Sequence, residues 1–259
     1  GYSNTTGDRH VALGYSALSA NTTGYRNNAI GYLALTTNTT GFENNALGVN
    51  ALRYNTTGAY NVAVGHEALL SNTTGTVNTS IGYQALYANT TASDNDAHGY
   101  RALYQNTTGN FNVSMGNQSM FDNTTGSNNV AVGSQALSNN TTAGSNTAIG
   151  YQALNDNTTG GVNTAVGASA GENITTGNGN TILGRAALRA VTTTGSNVAI
   201  GNDTLENATG SNNTAVGSAS GVSMTSGSKN TILGRFSGNQ GGLDIRTDTN
   251  WVVLSDGDG

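Results

Sequence analysis

The stretch N-T-T-G-Y-R-N-N-A-I-G-Y-L-A-L, from Asn21 to Leu35, decides the fold because the chain repeats it, with variations, along most of its length. Its central glycine recurs at fourteen places, and of the thirteen intervals twelve are 17 residues and one is 16. These glycines are Gly14, Gly31, Gly48, Gly65, Gly82, Gly99, Gly116, Gly133, Gly150, Gly167, Gly184, Gly201, Gly217 and Gly234. A unit this short cannot bury a core alone, so the period predicts units that stack on their neighbours.

Each repeat favours β-structure over helix. Glycines, β-branched residues and amides are weak helix formers, and two strand candidates, Asn27–Ile30 and Tyr32–Leu35, flank Gly31. The N-T-T-G segment is expected to turn the chain toward the next coil, with Gly24 at positive φ. Two strands and two turns per repeat predict an all-β fold, a parallel β-solenoid of about fourteen coils.

Composition narrows the classes of function. The net charge is −5 and Lys229 is the only lysine, so the chain offers no basic patch for nucleic acid. The absence of cysteine excludes disulfides and thiolate metal sites. No apolar run reaches the roughly 18 residues that suggest membrane insertion. Only 9% of residues are charged, but aliphatic residues recur in every repeat, which indicates an ordered chain.

The apolar residues come in adjacent pairs. Successive strand residues point to opposite faces, so a strand with one wet face should alternate. The paired positions predict that both faces are covered, one inside the coil and one by another chain, which favours an obligate cyclic oligomer. The pairs are Ala29-Ile30, Ala63-Val64, Ala131-Val132 and Ala165-Val166, and in the second strand candidate Ala34-Leu35, Ala68-Leu69, Ala102-Leu103 and Ala153-Leu154.

One asparagine per repeat is predicted to be structural. It lies three residues after the N-T-T-G glycine, and stacked amides can bond from coil to coil. Its members are Asn27, Asn44, Asn61, Asn78, Asn95, Asn112, Asn129, Asn146, Asn163, Asn180, Asn197, Asn213 and Asn230.

A second asparagine opens each N-T-T turn and matches the N-glycosylation sequon. We expect these turns to project outward and to accept glycans if the source glycosylates asparagine; the alternative is a preference of Asn and Thr for turns. The candidate sites are Asn4, Asn21, Asn38, Asn55, Asn72, Asn89, Asn106, Asn123, Asn140 and Asn157.

Two other side-chain arrays suggest binding surfaces. Paired threonines such as Thr22-Thr23 could form an ice-binding array, although only one of each pair can face outward. Tyrosines following the central glycines could bind sugars or pack along the stack; they are Tyr15, Tyr32, Tyr83, Tyr100 and Tyr151. The acidic residues occupy scattered positions, and no nucleophile elbow or phosphate loop is present. We therefore expect no catalytic residue, no metal site, no cofactor and no enzymatic activity.

The run Asn-x-Ala-Ile-Gly-Tyr-x-Ala-Leu, seen at Asn27–Leu35 and Asn146–Leu154, resembles head repeats of trimeric autotransporter adhesins. It is closer still to repeats of tail-fibre proteins that end in a self-cleaving endosialidase-type chaperone. The resemblance covers residues 1–238 and implies a left-handed β-roll that forms homotrimers. Residues 239–259 look like the connector that follows such repeats.

These observations predict a structural shaft of an extracellular fibre, located at a cell surface or on a virion. The partner is expected to be the chain itself, as a homotrimer or an end-to-end filament, with glycans as attachments or receptor. Two alternatives stay open, namely an N-glycosylated filament and an ice-binding threonine solenoid.

Overall fold

In the computed structural model, which describes residues 3–256, the chain is all-β and has no helix in that range. Most of its strands pair in parallel, one per coil, at a spacing of 17 residues. The predicted parallel β-solenoid of about fourteen coils is therefore confirmed. The chain divides into two compact units, Gly1–Asn128 and Asn129–Gly259, which are described separately.

The first unit contains seven strands of three residues. They are β1 (Val11–Leu13), β2 (Asn28–Ile30), β3 (Asn45–Leu47), β4 (Val62–Val64), β5 (Thr79–Ile81), β6 (Asp96–His98) and β7 (Val113–Met115). Each pairs in parallel with the next in an unchanged register, so that Ala12 lies beside Ala29 and Ala29 beside Ala46. Every repeat position therefore forms a column along the stack.

The second unit continues the same plan and adds a hairpin. Its strands are β8 (Val130–Val132), β9 (Thr147–Ile149), β10 (Thr164–Val166), β11 (Thr181–Leu183), β12 (Val198–Ile200), β13 (Thr214–Val216), β14 (Thr231–Leu233), β15 (Asn239–Gln240), β16 (Leu243–Asp244) and β17 (Val252–Leu254). The strands β15 and β16 are antiparallel, whereas β17 pairs in parallel with β14. The segment predicted as a connector, residues 239–259, thus contributes these last three strands; residues 1–2 and 257–259 lie outside the described part.

The prediction of a second strand in each repeat is wrong. Residues 32–37 form turns, and Leu33 and Leu35 have φ angles of 56° and 50°. Left-handed conformations cost a non-glycine residue roughly 1 kcal/mol or more, and interactions across coils hold them here. The Leu33 amide donates to the Tyr15 carbonyl at 2.9 Å, and the Leu35 amide donates to the Ala51 carbonyl at 3.1 Å.

The two glycines of a repeat serve different purposes. Gly31 has a φ of 141°, and a Cβ there would lie 2.2 Å from the Gly48 carbonyl oxygen. The prediction that Gly24 needs positive φ is wrong, because Gly24 is not among the positive-φ glycines. A Cβ on Gly24 would instead lie 2.1 Å from the Gly41 oxygen, so glycine suits the close approach of the two backbones there. Other coils adjust locally, because the same repeat position is Ala92, Ala143 or Thr194.

Three apolar positions fill the interior of a coil. Ala29 in the strand is buried, and Ala34 and Leu35 of the following turn are both buried as well. The second apolar pair therefore lies wholly inside the coil, and the prediction that one of its members faces another chain is wrong. In the first pair Ala29 is buried, and Ile30, at 37% exposure, faces outward.

Candidate functional site

The inner asparagines form a continuous hydrogen-bonded column in each unit, which we call the inner ladder. Asn44 Oδ1 accepts bonds from the Asn61 backbone amide at 3.0 Å and from Asn61 Nδ2 at 3.1 Å. The predicted structural asparagines, from Asn27 to Asn230, are all buried. In the first coil His10 takes this place, and its Nδ1 accepts the Asn27 amide at 3.3 Å. The inner ladder holds the backbone before each strand.

The asparagines of the N-T-T turns form a second column, the turn ladder. Asn55 Nδ2 donates to Asn38 Oδ1 at 2.7 Å, and Asn72 Nδ2 donates to Asn55 Oδ1 at 2.8 Å. The expectation that these residues project outward is wrong, because the turn bends its first side chain into the coil. Nine of the ten candidate glycosylation sites have zero exposed surface, namely Asn21, Asn38, Asn55, Asn72, Asn89, Asn106, Asn123, Asn140 and Asn157, whereas Asn4 is exposed.

The two ladders meet at the carbonyl of the N-T-T-G glycine. The Gly58 oxygen accepts Asn44 Nδ2 at 2.8 Å and Asn55 Nδ2 at 2.9 Å. Both protons of the Asn55 amide are therefore used, one by Asn38 and one by Gly58. A glycan on this nitrogen would remove a donor and place a sugar in the interior, so the folded turn offers no acceptor site there.

The paired threonines have unequal environments. The first of most pairs is partly buried, and Thr39 Oγ1 donates to the Thr56 carbonyl at 3.0 Å. The second is exposed in coil after coil, as at Thr40 and Thr57. The outward array is therefore one threonine wide, as expected from the alternation of side chains.

Aromatic rings stack on one another along the coils. The rings of Tyr83 and Tyr100 have centroids 5.4 Å apart at an interplanar angle of 9°, and His66 stacks on Tyr83 at 5.3 Å. A second stack joins Tyr104 to Phe121 at 5.1 Å. Because the faces of paired rings cover each other, these contacts support packing along the stack over the stacking of sugars on open ring faces.

Exposed aliphatic side chains recur on the outer side of the parallel strands. Each parallel strand after β1 buries its middle residue and turns its first and third side chains outward. We call this surface, formed by the first and third residues of the parallel strands, the outward strand face. The third residues of these strands are up to about half exposed, as Leu47 and Leu183 are, each at 49%. A repeated aliphatic surface of this kind is typical of an interface.

The charged residues form small pairs at the surface. Arg26 Nη1 lies 2.7 Å from Glu43 Oε1, and this contact raises the pKa of Arg26. Arg246 hydrogen-bonds Asp244 and holds the pKa of that carboxyl below its ordinary value, whereas burial raises the pKa of Asp122.

Among residues 3–256, no three His, Asp or Glu side chains are grouped to hold a metal ion. That range also contains no apolar helix of membrane-spanning length.

One polar pair on the outward strand face was missed at the level of sequence. Asp96 and His98 flank Ala97 in β6, and His98 Nε2 lies 2.8 Å from Asp96 Oδ1. The signal was available, because aligning the repeats shows an acid and a histidine where the other strands have neutral residues.

Comparison of the chain with protein-family models, with curated proteins and with solved structures gave no match.

Proposed function

We propose that the chain is a non-enzymatic shaft of an extracellular fibre at a cell surface or on a virion, and that it assembles as a homotrimer through the outward strand face. The observation that carries the proposal is the aliphatic third residue of the strands, which is partly exposed in coil after coil. Ordinary soluble surfaces rarely expose a contiguous apolar strip of this kind.

The interior supports the same proposal. Its polar side chains are largely engaged in the inner and turn ladders. Stacked rings and threonine–carbonyl bonds add further contacts between coils. The chemistry of the repeat thus serves stacking, and the outward strand face is left as the surface on which copies can meet.

Sedimentation equilibrium at micromolar concentration tests this proposal, and we expect three times the chain mass. Replacing Ile30 and Val64 with Asp should release monomers, because a charge would be desolvated in the seam. Thr57→Asp and Thr74→Asp, both in exposed turns, form the matched control and should leave the assembly intact. A wild-type chain that remains monomeric would overturn the proposal.

A second candidate, ice binding, is favoured by one observation. The second threonine of the turn is exposed at a regular spacing of one coil; its positions include Thr23, Thr40, Thr57, Thr74, Thr91, Thr108, Thr125, Thr142 and Thr159. Thermal hysteresis that disappears in a Thr57→Tyr, Thr74→Tyr variant would favour this function over the shaft.

A further inference from the structure

The outward strand face is uncharged in every parallel strand except one. Its third residues are Leu13, Ile30, Leu47, Val64, Ile81, His98 and Met115 in the first unit, and Val132, Ile149, Val166, Leu183, Ile200, Val216, Leu233 and Leu254 in the second. The first residues of these strands are Val, Asn or Thr, except for Asp96. Both exceptions therefore fall in β6.

The two side chains form a pair on this face. They lie on either side of the buried Ala97, with 41% of the Asp96 side chain and 39% of the His98 side chain exposed. The 2.8 Å between His98 Nε2 and Asp96 Oδ1 is an ion-pair distance when His98 is protonated. The contact lacks hydrogen-bond geometry, and Asp96 Oδ1 is shielded from solvent without a hydrogen-bond partner. The adjoining strands offer no charge, since β5 presents Thr79 and Ile81 and β7 presents Val113 and Met115.

We propose that the Asp96–His98 pair fixes the register in which a second copy of the chain docks on the outward strand face. This inference rests on the proposed self-association. A partner for this face must present apolar groups at the spacing of the coils, and a carboxylate and an imidazole at one height. Further copies of the chain meet both conditions, because around a three-fold ring the His98 of each copy can lie against the Asp96 of the next.

The aliphatic columns alone would leave the register undefined. Sliding one copy by a single coil again sets aliphatic residues against aliphatic residues, so slipped arrangements would be close in energy. With β6 present, a slip sets Asp96 and His98 against residues such as Ile81 or Met115 of the other copy. Desolvating the pair without a complementary partner is costly. A single polar residue in the apolar seam of a coiled coil specifies register by the same physics.

Distances between spin labels test the register directly. Because the chain has no cysteine, Thr57→Cys in an exposed turn gives one nitroxide per copy. Assemblies of the otherwise wild-type chain should give one narrow distance. The variant Asp96→Val, His98→Ile reproduces the Val-Ala-Ile sequence of β12 (Val198–Ile200). It should associate as tightly or more tightly, yet add longer distances from copies that are slipped by whole coils.

Two controls separate register from general effects. The swapped variant Asp96→His, His98→Asp keeps one acid and one base and should keep the narrow distance. Removing the exposed pair outside the strands by Arg26→Gln, Glu43→Gln should also leave the distance narrow. If the Val, Ile variant assembles with the same narrow distance as wild type, the register proposal is overturned and self-association stands. A monomeric wild-type chain overturns self-association itself.

Discussion

Two kinds of coil differ in the residue at the first position of the turn. We call a coil amide-closed when this residue is asparagine and aliphatic-closed when it is an aliphatic residue or methionine. From Asn21 to Asn157 the first position of the turn is a buried asparagine in the turn ladder. In the later coils the same position is aliphatic or methionine, and these residues are buried as well; they are Ile174, Val191, Ala208, Met224 and Ile245. The comparison teaches that the position must be interior, and that an amide is tolerated only where a neighbouring amide pairs with it.

Volume is exchanged between neighbouring positions in two of the later coils, which have Gly171 and Gly221 in place of the buried leucine. An amide-closed coil combines Leu52, Asn55 and Ala63, whereas the first of these two combines Gly171, Ile174 and Ile182. A Cβ on Gly171 would already lie 2.8 Å from Ile182 Cδ1 and 3.1 Å from Ile174 Cδ1. The missing leucine thus makes room for two larger neighbours, and the packing density of the interior is kept.

The change of chemistry leaves a visible defect. Asn157 Nδ2 donates to Asn140 Oδ1 at 3.0 Å, but Asn157 Oδ1 is buried without a hydrogen-bond partner. The next coil has Ile174 at this place and offers no donor. The turn ladder therefore ends at a cost in free energy that a mutation can expose.

The largest effect is expected when the turn ladder is cut in its middle. Asn72→Val removes the donor to Asn55 and the acceptor of Asn89, leaving two buried groups unsatisfied at about 1–3 kcal/mol each. Chemical denaturation at fixed protein concentration should show a loss of about 2–6 kcal/mol. The exposed Thr74→Ala in the same turn is the control, and equal losses in both variants would show that the amide bonds are not the cause.

A smaller loss is expected from placing an amide in an aliphatic-closed coil. Ile174→Asn can supply a donor to Asn157, but it leaves a void beside Gly171, and we expect a cost of about 2–3 kcal/mol. Adding Gly171→Leu and Ile182→Ala rebuilds the packing of an amide-closed coil. The free energy of unfolding of the triple variant should recover at least half of the loss caused by Ile174→Asn. Additive losses from the three substitutions would refute the exchange of volume.

Cutting the turn ladder at its last member should cost far less than cutting it in the middle. Asn157→Val removes the unpartnered oxygen together with two bonds, one to Asn140 Oδ1 and one to the Gly160 carbonyl. The Gly160 oxygen still accepts a bond from Asn146 Nδ2, and one buried defect is relieved, so the net change should be about 1 kcal/mol or less. A destabilisation as large as that of Asn72→Val, measured in the same denaturation series, would contradict the assignment of the defect.

The smallest effects concern two acids that precede the turn position in the two kinds of coil. Burial raises the pKa of Asp122, so its ionised form destabilises the fold as the pH rises through its titration range. The pKa of Asp244 is lowered by the hydrogen bond from Arg246, so its contribution is present at neutral pH and is lost on acidification. Melting temperatures at pH 7 should rise for Asp122→Asn and fall for Asp244→Asn. On acidification the first difference should vanish below the ordinary titration range of aspartate, whereas the second should persist until the pH falls through the lowered pKa of Asp244. Shifts of the same sign would contradict these environments.

The sequence allowed the stacking to be predicted but not the path of the turn. The 17-residue period and the inner asparagines followed from spacing alone. The left-handed Leu33 and Leu35 could not be foreseen, because interactions between coils override the backbone preference of leucine. The inward direction of the turn asparagine could have been read from Ile174 and Met224, whose size at the same position indicates burial.

Exchange of side-chain amide protons tests the central claim, that the turn asparagines are interior. In D2O the Nδ2 protons of Asn55 and Asn72, followed by NMR and assigned by the missing signal of Asn72→Val, should persist for hours. Those of Asn117, which is exposed, should exchange at once. Protection of the ladder amides would support an interior closed by hydrogen bonds, whereas exchange of Asn72 as fast as that of Asn117 would contradict it.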